Sequence, residues 1–136
     1  MHALALTDDD ELFEGMRRVL GHSRWQVHRA GNLEEAARLL EDAALRDKVA
    51  VALCGPRLAD GGWRDLVEQL RGAGSSASVV VVDRGATPAL WNDVLEGGGY
   101  DVLPFPLDPH ELFRVMTQAW RHWRHRHLHH SEEPVH

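Results

Sequence analysis

Cysteine and lysine are almost missing from this chain. Its 136 residues include one cysteine, Cys54, and one lysine, Lys48, among fifteen basic residues. A single cysteine excludes an internal disulfide and any metal knuckle built from several thiolates. The compartment expected for such a chain is the reducing cytoplasm. Long hydrophobic stretches are missing too. Runs such as Val79–Val82 are far shorter than the roughly 20 apolar residues of a membrane span. Met1-His2-Ala3-Leu4 offers no basic stretch ahead of a long apolar one, so no secretory signal is expected. Repeats and low-complexity linkers are absent before residue 121. The length fits one compact domain with a core and leaves no room for a separate substrate domain.

Charge is present but unevenly placed. The net charge is −6 with neutral histidines. Residues 1–119 hold 19 acids and 12 bases, whereas residues 120–136 set Arg121, Arg124 and Arg126 against Glu132 and Glu133 and carry six of the ten histidines. An acidic body lacks the cations that nonspecific nucleic-acid binding requires. No second domain brings a basic recognition helix, so nucleic acid is not an expected partner, and neither is a membrane.

Strand and helix patterns alternate along the chain. His2 to Thr7 forms a short apolar strand, and Phe13, Met16, Val19 and Leu20 then share one helical face. Trp25 to Arg29 suits a second strand. Asn32 with Glu35 marks a capping box ahead of Leu33, Ala36, Ala37, Leu39 and Leu40. Val49 to Cys54 is continuous and apolar, as a strand buried on both faces would be. Gly55 to Gly62 is expected as loop, followed by a helix on Trp63, Leu66, Val67 and Leu70. Four consecutive valines, Val79 to Val82, are a strong strand signal. Thr87-Pro88 starts the next helix and Gly97-Gly98-Gly99 stops it. Tyr100 to Leu103 is a fifth strand. Asp108-Pro109-His110-Glu111 opens a last helix carrying Leu112, Phe113, Met116, Trp120 and Trp123. Five β/α units with short connections predict an α/β fold, a parallel sheet with helices on both faces. Sites in such sheets lie at the carboxyl ends of the strands.

The first strand ends in Asp8-Asp9-Asp10. Three adjacent carboxylates repel one another and would gain from a hard cation. The plainer alternative is that Asp9 or Asp10 caps the first helix and the others are solvated. This acid cluster, the order of elements and the stretch Gly98-Gly99-Tyr100-Asp101-Val102-Leu103-Pro104-Phe105-Pro106-Leu107-Asp108 resemble a response-regulator receiver domain. The resemblance covers about residues 3–120 and leaves 121–136 as an Arg/His-rich extension. It implies a CheY-like, flavodoxin-like five-stranded sheet of order 2-1-3-4-5. It also implies an acid pocket for Mg²⁺ and an Asp after the third strand that accepts a phosphoryl group from a histidine kinase. A Thr or Ser after the fourth strand and a Lys before the Pro after the fifth complete that site.

Carried over position by position, the pattern breaks. Asp8 and Asp9 match the acid pair and are the expected metal positions, holding Mg²⁺ weakly at best; no cofactor is required. The acceptor position falls on Cys54 when aligned from Asp60-Gly61-Gly62, or on Gly55 when aligned from the following helix, and neither is a carboxylate. Asp83 replaces the Thr or Ser, and Phe105 replaces the Lys. Lys48 precedes the third strand, so no other lysine can serve. Without a carboxylate there is no nucleophile of the required kind. Without the cation, charge on the transferring oxygens goes unstabilised. Asp83 adds repulsion: at about 4 Å and an effective dielectric of about 20, a like-charge contact costs roughly 4 kcal/mol before screening. Asp60 lies beyond the strand end and is a poor substitute acceptor. Cys54 among acids would be a blunted nucleophile, and a buried structural thiol is the better reading. By resemblance, the Phe105-Pro106 bond is expected to be cis.

The chain is thus expected to be a degenerate, non-catalytic pseudo-receiver of two-component signalling. It would act by protein–protein contact, as a homodimer through its last helix or as an adaptor to a histidine kinase or another signalling protein. Trp120, Trp123 and Arg124 are the expected interface anchors, since Trp and Arg are typical of them. Two rivals stand beside this reading. One is an active phosphoacceptor, or Mg²⁺-dependent receiver, using a misaligned acid. The other is a metal-binding protein using the histidine-rich tail, where His125 and His129 stand at i,i+4 spacing.

Overall fold

The computed structural model describes residues 1–132, with side chains described through residue 126. The elements in order are β1 (His2–Leu6), α1 (Asp10–Leu20), β2 (Gln26–Ala30), α2 (Leu33–Leu40), α3 (Ala43–Arg46), β3 (Val49–Cys54), β4 (Arg57–Leu58), β5 (Gly61–Gly62), α4 (Trp63–Gly72), β6 (Ser78–Asp83), α5 (Pro88–Glu96), β7 (Asp101–Pro104) and α6 (Pro109–Glu132). The main sheet is parallel and five-stranded, in the order β2-β1-β3-β6-β7. This is the expected 2-1-3-4-5 order once the two-residue strands β4 and β5 are set aside. Those two form an antiparallel pair, Arg57 with Gly62 and Leu58 with Gly61, within the stretch expected as loop. The short helix α3 is likewise additional to the expected elements; Asp42 caps it through Ala44 N. Four residues are too few to show a helical period.

The sheet separates two apolar layers. Ala3 and Ala5 of β1 face Leu12, Met16 and Leu20 of α1 and Leu112, Val115, Met116 and Ala119 of α6. Leu4 and Leu6 face the other way, toward Leu33, Ala36 and Leu40 of α2, Trp63, Leu66 and Leu70 of α4 and Val94 of α5. Side chains alternate across a strand, so one apolar run supplies both layers. All six residues of β3, at the centre, are fully buried. At roughly 1.5–3 kcal/mol for each large aliphatic side chain, these two layers dominate what holds the fold together.

The helix starts follow local chemistry. Thr87 Oγ1 accepts the Leu90 amide and Pro88 opens α5. Asn32 Oδ1 accepts the Glu35 amide, but the Glu35 carboxylate reaches back to Gly31 N rather than to the cap residue. The last helix runs past the core as expected, to Glu132. Among the described residues no helix is long and apolar enough to cross a membrane.

Candidate functional site

Parallel strands bring their carboxyl ends to one edge. Four connections meet there: Thr7 to Asp9 after β1, Gly55 and Pro56 after β3, Arg84 to Thr87 after β6, and Phe105 to Asp108 after β7. Asp8, Asp9, Asp10, Cys54, Gly55, Asp60, Asp83 and Phe105 stand at or beside this edge. Lys48 does not. It stands exposed just before β3, at the opposite end of that strand.

Asp9 is the N-cap of α1. Its Oδ1 accepts the amides of Glu11 at 3.0 Å and Leu12 at 3.2 Å, and its own amide donates to Thr7 Oγ1 at 3.0 Å. The plainer reading of the acid cluster therefore accounts for one oxygen of Asp9. Asp10 points elsewhere and pairs with Arg29 at 2.7 Å. Asp8 is exposed. Among the described residues no three His, Cys, Asp or Glu side chains are grouped to hold a metal ion.

The two alignments for the acceptor place it on opposite faces of the sheet. Cys54 lies in the layer with Leu6, Leu58 and Trp63, fully buried. Burial pushes its thiol up to about 12, and its Sγ donates to Gly55 O at 3.0 Å. It is an inert core residue. A Cβ on Gly55 would instead face Thr7 Oγ1 at 3.3 Å and Leu12 Cδ2 at 3.4 Å, the side on which Asp9 lies. Gly55 is thus the position from which a side chain could reach the acids, and it has none.

Asp83 closes a turn rather than opening a site: its Oδ1 accepts the Gly85 amide at 2.9 Å, and its carbonyl accepts the Phe105 amide at 3.1 Å. Phe105 is half-buried and packs on the α1–α6 layer. The Phe105-Pro106 peptide bond is cis, as expected. Asp60 is engaged too. Its two oxygens accept the amides of Leu33 at 2.9 Å and Glu34 at 3.1 Å, at the start of α2.

One residue of this edge carried no expectation. Arg84, directly after Asp83, reaches over the acids. Its Nη2 lies 3.1 Å from Glu11 Oε2 and 3.8 Å from Asp9 Oδ2, and its guanidinium carbon lies 4.5 Å from the centre of the Phe105 ring. The available signal was its place: an arginine immediately after a strand whose carboxyl end faces an acid cluster.

The expected anchors of the last helix are only partly exposed. Trp120 and Trp123 are half-buried and pack on the α1–α6 layer. Arg124 is exposed and lies over the Trp120 ring at 5.2 Å. The larger exposed apolar side chains stand elsewhere: Trp91 (46%) and Leu95 (38%) on α5, and Phe113 (36%) on α6. These helices cover opposite faces of the sheet at its edge strand β7, and Trp91 Nε1 donates to Asp101 Oδ1 of that strand. The side chain of His129, and with it the pair of His125 and His129, lies outside the described residues, as do the side chains of His127, His130 and His136.

No protein-family model matches the chain, and no curated protein matches it in sequence. Solved structures do match its fold. A two-component response regulator from Clostridium difficile superposes with a TM-score of 0.76 at 20% identity, over 89% of this chain and 96% of that one. A CheY-like response regulator receiver domain protein from Methanospirillum hungatei gives 0.76 at 17% identity, over 92% and 97%. The signal receiver domain of an HD domain-containing protein from Pseudomonas fluorescens gives 0.79 at 18%, over 92% and 90%. The chain has the fold of response-regulator receiver domains.

Proposed function

We propose that this chain is a receiver-like module of two-component signalling that does not take up a phosphoryl group by the aspartate route and acts through stable protein–protein contact. The observation that carries this reading is the end of β3. The side chain there that faces the acids would be that of Gly55, and Cys54 beside it is buried on the other face. No lysine other than Lys48 exists to take the place of Phe105. The carboxylate nucleophile and the lysine of the transfer are both lacking, so the module is non-catalytic. Asp60, weighed as a substitute acceptor, has both oxygens on the amides of α2.

Contact is proposed through the α5–β7–α6 edge, with a second copy or with a histidine kinase or other signalling protein, in the cytoplasm. Trp91, Leu95 and Phe113 support this by their exposure, and Trp120 and Arg124 by their place on α6. The test is the intact mass after incubation with acetyl phosphate and Mg²⁺, with size-exclusion light scattering before and after. The expected result is no phosphoryl adduct and an unchanged oligomeric state. A stoichiometric adduct would overturn the reading, and its site would identify the acid responsible.

A further inference from the structure

We propose that Arg84 is the resident cation of the acid pocket, tying the β6–α5 connection to α1 and closing the pocket to divalent ions. The inference rests on the receiver-like reading of the site and concerns how that site is held. Three contacts from two parts of the chain converge on one guanidinium: Glu11 and Asp9 from the start of α1, and the Phe105 ring from the connection after β7. Asp9 Oδ1 is already occupied by two amides, so Oδ2 is the oxygen left to bind a cation, and Arg84 faces it. A divalent ion at this place would have to displace Arg84 or accept its repulsion.

Phe105 gives the guanidinium a face that an ammonium-bearing side chain would not. A cation over an aromatic ring within about 6 Å is attracted by the ring's quadrupole. The charged groups are not deeply buried: Arg84, Asp9 and Glu11 are 55%, 46% and 70% exposed. Each contact alone is therefore weak. Their sum ties the β6–α5 connection to α1 without any external ligand.

The experiment is calorimetric titration of the full chain with Mg²⁺. That hard ion prefers oxygen ligands and so avoids the histidine-rich tail. Removing a unit positive charge about 4 Å from a divalent site strengthens binding by at least about tenfold even at the dielectric of water. Arg84→Ala is expected to bind Mg²⁺ at least about tenfold more tightly than the parent, and Arg84→Lys to stay near the parent. Adding Asp9→Asn to Arg84→Ala keeps a good N-cap and is expected to abolish the gain. Equal affinity in the parent and Arg84→Ala would overturn the proposal. So would a gain that survives Asp9→Asn, or an Arg84→Lys that binds as Arg84→Ala does. A phosphoryl adduct on the parent would instead overturn the function proposed above, so the two failures are distinguishable.

Discussion

A single glycine shows how the Phe105 ring is accommodated. Phe105 lies against α1 at Gly15, where a Cβ would come within 2.9 Å of the ring's Cε2. Glycine inside a helix costs about 1 kcal/mol relative to alanine, so its presence in α1 needs a reason, and the ring supplies one. The two positions should therefore couple. Gly15→Ala in the parent is expected to gain little or to destabilise, because the ring must move. In a Phe105→Ala background the same change is expected to stabilise by about 1 kcal/mol, the helix preference alone. Urea denaturation of the parent, both single variants and the double variant measures the difference. Equal effects in the two backgrounds would show that the ring does not set the residue at 15. Neither partner could be paired from sequence, since ninety residues separate them and only the fold brings α1 under the connection after β7. Gly55 was different: the sequence left it open against Cys54, and the alternation of side chains across β3 separates the two, one into each layer.

At the scale of elements, most of what was legible came from apolar spacing and caps. The five sheet strands and the main helices follow the periodic runs, and Thr87, Asn32 and Asp9 sit where a capping side chain is needed. The short pieces escaped. β4 and β5 are two residues each and carry no alternation, and their pairing places Asp60 at the turn between them. That turn explains why Asp60 reaches α2: its carboxylate bonds the Leu33 and Glu34 amides at the positive end of the helix. No local pattern could show a cap donated from 27 residues away. Asp60→Ala is expected to lower stability by about 1–2 kcal/mol, the usual cost of losing a charged cap. Asp60→Asn should lose less, because an amide oxygen still accepts. The urea midpoints of the two variants check this. No change in Asp60→Ala would mean that Asn32, the other cap of α2, suffices alone and that Asp60 is free for another role.

For the molecule as a whole, pH acts through charge and through one histidine pair at the sheet edge. Lowering the pH adds protons to histidines as a class and brings the net charge of −6 toward zero and beyond, which changes self-repulsion and solubility. Light scattering of the proposed dimer therefore belongs well above the histidine range, where isoelectric association cannot imitate it. Stability carries a separate signature. His2 Nδ1 and His28 Nε2 lie 3.0 Å apart across β1 and β2, with the rings stacked. That contact needs one neutral ring, because two imidazolium ions are both donors only. Burial holds the His2 pKa below its ordinary 6.5, helped by the charged N-terminus, His28 and Lys48. A lowered folded value means that the unfolded chain takes up the proton first. Above 6.5 neither state carries it and the full stability is present; as the pH falls from there through the lower folded value, stability is lost, and below that value the loss levels off. His2→Gln removes this group and leaves the other nine histidines in place. The urea midpoint is expected to fall more between pH 8 and pH 5 in the parent than in His2→Gln. An identical fall in both would mean that the acid sensitivity of this fold comes from its summed charge and not from the stacked pair.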